Sequence, residues 1–251
     1  MNTPTEPLSA QLQTLQLSFI REHYAALAQQ AAAEQWPPVD YLARLVEGEL
    51  QRRQDRALER RLKAARLPLL KTLEQFQWNW PKKINRLQVQ QVFRLQFLDS
   101  HTHVIFLGGV GLGKTHLAIA LAYTACLAGS TVLFTTAVDA VNTLIAAQAA
   151  GRLKTELNRY LKPRLLCLDE VGYLPIDKTG ADLLFQIISH RYEQGSMIIT
   201  SNRPYKKWAE IFNNDSTLTS ALLDRLLHHA ETVLIEGSSY RMKDRLELAS
   251  A

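Results

Sequence analysis

Residues 108–115 read Gly-Gly-Val-Gly-Leu-Gly-Lys-Thr, a complete phosphate-binding loop of the form Gly-x-x-x-x-Gly-Lys-Thr. An apolar stretch of strand type, residues 103–107, precedes the loop, and an Ala-rich helical stretch follows it. Strand, glycine loop and helix form the context in which this motif binds phosphate. The glycines let backbone N–H groups turn inward, and the start of the helix adds a positive dipole end.

The loop predicts a nucleotide site in which individual residues have separate roles. Lys114 can reach the β- and γ-phosphates, and the Thr115 hydroxyl can hold Mg²⁺. A chance glycine-rich turn is the alternative for the loop taken alone. We assign the binding of the nucleotide to Gly108, Gly109, Val110, Gly111, Leu112, Gly113, Lys114, Thr115 and His116.

A second motif supports the nucleotide prediction. Residues 165–170 read Leu-Leu-Cys-Leu-Asp-Glu, an apolar strand that ends in two carboxylates. A strand end beside a phosphate loop is where a carboxylate can help to hold Mg²⁺. We therefore predict that Asp169 and Thr115 hold the metal and that Glu170 polarises the attacking water. A solvated turn is the alternative for Asp169-Glu170 taken alone.

The positive charge of the chain is concentrated in one segment. The net charge is +5, yet residues 51–71 alone carry eight basic and two acidic residues, a local charge of +6. Such a run is either a solvated helix face or a surface for phosphate contacts, and its imbalance favours the second reading. The two cysteines show no metal-ligand spacing, and the histidine pairs His101/His103 and His228/His229 are expected to be surface or packing residues rather than ligands.

The sequence shows neither an apolar run of 18 residues nor a signal-peptide pattern. We therefore expect a soluble, cytoplasmic protein without membrane contact.

The pattern of apolar residues changes along the chain. Residues 9–35 and 39–66 have helical spacing, with Trp36-Pro37-Pro38 as a break between them. Residues 67–99 are interpreted as a linker and an entry helix. From residue 103, strands at 103–107, 131–135, 165–169, 197–201 and 231–235 alternate with helices at 115–128, 138–149, 152–160, 180–192 and 217–228.

This alternation predicts an α/β fold with a parallel sheet covered by helices on both faces. We divide the chain into a small all-helical domain, residues 1–68, for partner or DNA contact, and an ATPase domain, residues 69–251. Asn202 follows the fourth strand and can touch the attacking water, although a turn residue is the simpler reading. A lone arginine on an amphipathic helix, such as Arg225, is usually a surface or ion-pair residue.

Several motifs in this order resemble the AAA+ ATPases of the DnaC helicase-loader branch. They are the phosphate loop, Leu168-Asp169-Glu170, Thr200-Ser201-Asn202, Asp224-Arg225-Leu226 and Ser239-Tyr240-Arg241. The phrases at residues 113–118, 222–230 and 237–241 are most similar to the IstB family, ATP-dependent transposition helpers of bacterial insertion sequences. The resemblance is dense over residues 70–246 and less distinctive before them.

The resemblance implies a five-stranded parallel sheet with the phosphate-loop strand in the centre. It implies that Asn202 is the sensor 1 residue and that Arg225 is an arginine finger for the ATP of a neighbouring subunit. It also implies that Arg241 is the sensor 2 arginine, which contacts ATP within its own subunit. About ten residues follow Arg241, so we expect no full helical lid.

The resemblance further implies assembly as a homo-oligomer on double-stranded DNA. In this branch an extra helical insertion lies before the Asp-Glu strand, here residues 139–164. We name as candidate DNA contacts basic residues of the +6 segment and of this insertion: Arg52, Arg53, Arg56, Arg60, Arg152, Lys154, Arg159 and Lys162. Ordinary solvated helices are the alternative for both groups.

The favoured function is a DNA-binding AAA+ ATPase that assists the transposase of its insertion sequence in target selection and integration. A replicative-helicase loader of the DnaC type is the second reading, since it uses the same motor with another client. A nucleotide-binding scaffold without turnover is disfavoured because Glu170 is present. A small-molecule kinase is weaker still, because the sequence shows no acceptor-site pattern.

Overall fold

The computed structural model describes residues 7–240. Its contacts divide the chain into two compact units, with the division between Arg60 and Arg61. Helix α3 (Pro38–Ala65) runs through this division. The domain border that the sequence analysis places after residue 68 stays a prediction.

The first unit contains helix α1 (Leu8–Thr14), helix α2 (Ser18–Ala33) and most of α3. The single helix expected over residues 9–35 is in fact two, because Gln16 has a left-handed backbone with φ of 56° just after α1. The break at Trp36-Pro37-Pro38 is confirmed, and Pro38 is the first residue of α3. Proline suits this position because the first N–H groups of a helix have no partner within the helix.

A buried carboxylate joins α2 to α3. Glu49 Oε2 accepts hydrogen bonds from the backbone N–H groups of Phe19 at 2.7 Å and Ile20 at 3.4 Å, and Oε1 accepts one from Arg53 Nε at 3.2 Å. Burial opposes ionisation, but these bonds lower the pKa of Glu49 below its ordinary value. Glu49 therefore caps the start of α2 from a position on α3.

The second unit is built on a six-stranded sheet of β1 (Lys83–Ile84), β2 (His103–Gly108), β3 (Val132–Thr136), β4 (Leu165–Val171), β5 (Ser196–Ser201) and β6 (Ala230–Glu236). The order of the strands in the sheet is β1-β6-β2-β5-β4-β3. The strand β1 (Lys83–Ile84) pairs antiparallel with β6, and the other neighbours are parallel. The predicted count of five was one short, since two residues are too few to show a strand pattern. The five parallel strands are β2 to β6.

The strand before the phosphate loop lies inside the sheet, between β6 and β5. The first five residues of β2 and all residues of β5 are buried. Because successive side chains of a strand point to opposite faces, both faces of these strands are covered. The helices of this unit are α4 (Arg86–Val92), α5 (Lys114–Leu127), α6 (Ala137–Ala149), α7 (Leu153–Leu161), α8 (Lys178–Arg191) and α9 (Ser216–His228).

The helices of this unit begin in two different ways. Side-chain oxygens accept a hydrogen bond from the first turn of α4, α6, α8 and α9, and these caps are Asn85, Thr136, Asp177 and Asp215. Helix α5 follows Gly113, which offers no side chain for a cap. The first turn of α5 therefore depends on other groups to satisfy its N–H donors.

Among the described residues, no helix is both long and apolar enough to pass through a bilayer.

The guanidinium of Arg191 fastens the turn after α7 to the start of β5. Its side chain is 2% exposed, and burial lowers its pKa to about 10. It donates to five backbone carbonyls, those of Tyr160, Leu161, Pro163, Arg164 and Ser196, at 2.7–3.2 Å. The dipoles of these carbonyls stabilise the positive charge of the guanidinium. The guanidinium in turn supplies the hydrogen-bond donors that the buried carbonyls need.

We expect Arg191→Met to lower the free energy of unfolding by more than about 3 kcal/mol, because several buried carbonyls lose their donor at once. Denaturant unfolding followed by circular dichroism measures the change. Arg94→Met is the matched control, since Arg94 is exposed, and it should alter stability by less than about 0.5 kcal/mol. Equal effects of the two substitutions would refute the structural role of Arg191.

Candidate active site

The loop between β2 and α5 has the backbone geometry that phosphate binding requires. Gly111 and Gly113 have φ values of 74° and 86°, a region that residues with side chains rarely adopt. A Cβ atom on Gly108 would lie 2.1 Å from the Ile235 carbonyl oxygen, so β6 leaves no space for one. The Lys114 side chain is 9% exposed, and its Nζ donates to the Gly109 carbonyl at 2.7 Å.

Three segments meet at the carboxylate of Asp169, which is 4% exposed at the end of β4. Its Oδ1 accepts hydrogen bonds from the Thr115 hydroxyl at 3.0 Å and the Thr200 hydroxyl at 2.5 Å. The structure thus brings together Thr115 and Asp169, the two residues predicted to hold Mg²⁺. Both offer oxygen, the donor that Mg²⁺ prefers, so the residues present fit this ion.

Glu170 is linked to Asp169 through the Thr200 hydroxyl, but its own side chain faces solvent. Its side chain is exposed, and its backbone is left-handed, with φ of 61°. Its N–H donates to the Thr200 hydroxyl at 2.9 Å, and the pairing of β4 with β5 shifts register between Leu168 and Val171. Asp169 therefore faces inward while the next carboxylate remains accessible to solvent.

The sequence analysis missed Thr200 as a site residue. It quoted Thr200-Ser201-Asn202 only as a motif and gave the role to Asn202. A hydroxyl at the end of a fully buried strand beside β4 was the available signal. Asn202 is half-buried, and its Oδ1 has no hydrogen-bond partner among the residues that the structure describes.

A cavity of about 470 Å³ lies against the phosphate loop. This volume is within the usual range of small-molecule sites. The loop forms one wall through residues 111–116, and residues from the segment 69–81 form another. This segment was interpreted as a linker, so the sequence analysis missed its part in the site. Its aromatic residues Phe76 and Trp80 were the available signal.

Two contacts hold this wall on α5. His116 Nε2 is hydrogen-bonded to the Thr72 carbonyl at 2.9 Å, and its ring meets the edge of Phe76 at 5.6 Å. Burial lowers the pKa of His116, although the Thr72 carbonyl acts in the opposite direction. The His116 ring is therefore neutral at neutral pH, which suits a wall that packs rather than pairs with phosphate.

The segment after β6 closes over the loop from another side. Tyr240 N–H donates to the Gly111 carbonyl at 2.9 Å, and Trp80 Nε1 donates to the Ser238 carbonyl at 2.9 Å. The rings of Trp80 and Tyr240 meet edge to face at 5.5 Å. Arg241, the residue assigned to sensor 2, lies outside the described residues, but the residue before it touches the phosphate loop.

Arg225 lies on α9, with its described contacts on α8 and α9. Its Nη1 donates to the Ala221 carbonyl at 3.1 Å, and its guanidinium lies 5.1 Å from the centre of the Phe185 ring. The side chain is partly exposed. These contacts hold its guanidinium at the surface of the unit.

The candidate DNA residues fall into two groups. Some are engaged in ion pairs: Arg52 with Glu22 at 2.6 Å, Arg53 with Glu49 at 3.2 Å and Arg159 with Glu156 at 2.8 Å. The others are exposed, namely Arg56, Arg60, Arg152, Lys154 and Lys162. Arg53 also contributes to the cap of α2, so its charge has a structural partner.

Comparisons with known proteins agree with this geometry. A protein-family model described as IstB-like ATP binding protein matches residues 10–248. The insertion sequence IS21 putative ATP-binding protein of Pseudomonas aeruginosa is 41% identical over 238 residues, which cover 95% of this chain and 89% of that protein.

Two solved structures share the fold. Replication initiator DnaA bound to AMPPCP and single-stranded DNA is 25% identical, with a TM-score of 0.55 over 71% of this chain. The chain spans about half of that protein, 55% of its length. The DnaC helicase loader is 22% identical, with a TM-score of 0.53 over 66% of this chain and 96% of its own. The phosphate loop, the Asp169 carboxylate and the mostly parallel sheet place the chain among the AAA+ P-loop ATPases, and it belongs to the IstB-like family of ATP-binding proteins.

Proposed function

We propose that this protein hydrolyses ATP with Mg²⁺, assembles as a homo-oligomer on double-stranded DNA and assists the transposase of its insertion sequence in target selection and integration. The observation that carries the hydrolytic part is the Asp169 network, with Thr115 and Thr200 bonded to one carboxylate oxygen and Glu170 left accessible. The similarity to putative ATP-binding proteins of insertion sequences supports the transposition context.

In this proposal the loop N–H groups and Lys114 bind the phosphates. Thr115 and Asp169 hold Mg²⁺, which supplies positive charge to the phosphate oxygens during transfer. The nucleoside occupies the cavity between the loop and the 69–81 segment, where Phe76 and His116 exclude water. Glu170 orients and polarises the attacking water. Asn202 Oδ1, which has no hydrogen-bond partner within residues 7–240, is available to accept a hydrogen bond from that water.

Two arginines are proposed to complete the site. Arg225 contacts the ATP of a neighbouring subunit, and its surface position on α9 supports this role. Arg241 contacts ATP in its own subunit, which agrees with the Tyr240 contact to Gly111. Because phosphoryl transfer depends on charge placed around the phosphates, an arginine supplied by a neighbour makes turnover depend on assembly.

The exposed basic residues Arg56, Arg60, Arg152, Lys154 and Lys162 are proposed to contact DNA phosphates, with Arg52, Arg53 and Arg159 as further candidates. A helicase loader of the DnaC type is the second candidate function, supported by the fold shared with the DnaC helicase loader. Co-purification with a transposase encoded beside this chain, or with a replicative helicase, separates the two. We place this activity in the cytoplasm, where bacterial DNA lies.

Glu170→Gln should retain ATP binding and lose about 10²–10⁴-fold in turnover, because the amide cannot accept the proton of the attacking water. Fluorescent-nucleotide titration and phosphate release measure the two quantities. Lys114→Ala is the comparison variant, since it should lose binding itself. Parent-like turnover in Glu170→Gln would place the base elsewhere.

Thr200→Val should reduce kcat for ATP more than it changes KM. The substitution keeps the shape of the side chain but removes the hydroxyl that joins Asp169 to the Glu170 N–H. Thr200→Ser restores the hydroxyl and should restore most of the activity. Thermal unfolding confirms that both variants are folded. A valine variant with the kinetics of the parent would show that Thr200 does not position the carboxylates.

DNA affinity should fall with salt according to the number of phosphate contacts, by about 0.9 in the log–log slope per contact on duplex DNA. Arg56→Ala/Arg60→Ala should flatten this slope by up to about 1.8 on all sequences alike. Fluorescence anisotropy over a salt series, with a non-hydrolysable ATP analogue, measures it. Lys206→Ala/Lys207→Ala, two exposed lysines outside the candidate DNA surface, is the matched control.

An unchanged slope in Arg56→Ala/Arg60→Ala would mean that this face of α3 is only solvated. Equal flattening in the control pair would mean that general positive charge, rather than this surface, contacts DNA.

A further inference from the structure

A second group of reactive side chains lies at the other ends of the strands. Glu193 is in the turn that precedes β5, and His228 and His229 directly precede β6. The candidate nucleotide site lies at the C-terminal ends of the parallel strands, whereas this group lies at their N-terminal ends. All three residues are exposed, and one potential ligand atom from each lies within 4.8 Å of the others.

We propose that Glu193, His228 and His229 bind a transition-metal dication of the Zn²⁺ type. Two imidazole nitrogens and one carboxylate oxygen form a ligand set that suits zinc, with water or another group in the fourth position. Mg²⁺ and Ca²⁺ prefer oxygen ligands throughout. The proposed site therefore selects against Mg²⁺, the ion proposed to accompany ATP at the C-terminal ends of the strands.

Tyr192 is a hydrogen-bond partner that can orient one of the proposed ligands, His228. Its hydroxyl is hydrogen-bonded to His228 Nδ1 at 2.8 Å. When the Tyr192 hydroxyl accepts this hydrogen bond from His228 Nδ1–H, His228 Nε2 is left to bind an ion. Such outer partners orient metal-binding histidines.

The backbone on both sides of the site is fixed. The His229 carbonyl accepts a hydrogen bond from His103 N–H at 2.7 Å. Across from it, the N–H groups of Gln194 and Gly195 both donate to the Arg191 carbonyl at 3.1 Å. Arg191 is in turn anchored by its buried guanidinium. The ligands therefore project from two segments whose positions are set by the core, as a preorganised site requires.

The distances suit an ion with small adjustments of the side chains. His229 Nε2 and Glu193 Oε1 are 3.8 Å apart, and the ring centres of the two histidines are 4.1 Å apart. Two ligands bound to zinc at tetrahedral angles are roughly 3.4 Å apart, given Zn–N distances near 2.0–2.1 Å. Rotation of the exposed side chains can close this difference.

A bound ion would join the end of α9 to the turn after α8. Arg225 lies one turn earlier on α9, and Phe185, which its guanidinium contacts, lies on α8. The ion would thus tie together the two helices that hold Arg225. The metal inference itself does not depend on ATP hydrolysis, because binding can be measured without nucleotide.

The test is a zinc titration of the full chain after removal of metals with a chelator, by calorimetry and by competition with a coloured zinc indicator. Co²⁺, whose absorption reports tetrahedral nitrogen and oxygen ligands, is the second probe. We expect a single ion per chain, retained in excess Mg²⁺. His228→Gln, His229→Gln and Glu193→Gln should each weaken binding more than tenfold, and Tyr192→Phe should weaken it by about 10–100-fold.

His101→Gln is the matched control, since His101 is an exposed histidine outside the group. It should leave zinc affinity unchanged. No zinc binding, parent-like affinity in the His228 and His229 variants, or an equal loss in His101→Gln would each overturn the site. Equal losses would identify adventitious binding to surface histidines only. Glu193→Gln and Tyr192→Phe preserve shape, and their thermal unfolding without metal shows whether the fold is intact.

Discussion

The Asp169 carboxylate is the point on which the active site depends. One oxygen accepts from Thr115 at the start of α5 and from Thr200 at the end of β5. These bonds form only because β4 lies beside β5, which in turn lies beside the strand of the phosphate loop. The order of the strands is therefore what brings three distant sequence segments together around one buried carboxylate.

Much of this arrangement could be predicted because its signals are local. The phosphate loop, the apolar strand before Asp169 and the alternation of strands and helices each occupy a short stretch of sequence. The five parallel strands and the meeting of Thr115 with Asp169 follow from them. The predicted roles of Asn202, Arg225 and Arg241 came from the resemblance, and they remain proposals.

The remainder could not be predicted because it depends on contacts between distant residues. Nothing near Thr200 shows that its hydroxyl bonds both Asp169 and the Glu170 N–H. The segment with Phe76 and Trp80 reads as a linker until the cavity places it against α5. Gln16 divides α2 from α1 through its own backbone angle. Arg53 is one basic residue among eight, and only the fold shows that it pairs with the carboxylate that caps α2.

The left-handed backbone at Glu170 lowers the stability of the chain at the residue that we propose as the catalytic carboxylate. A residue with a side chain is strained there by an amount on the order of 1–3 kcal/mol. Glycine adopts the same angles without strain, and its N–H would donate the same hydrogen bond to the Thr200 hydroxyl. A selection for thermal resistance alone would therefore favour glycine at this position and would discard the exposed carboxylate. The chain carries a locally unfavourable conformation at the place where this carboxylate leaves the line of the strand, so under the proposed function its most active form is not its most stable one.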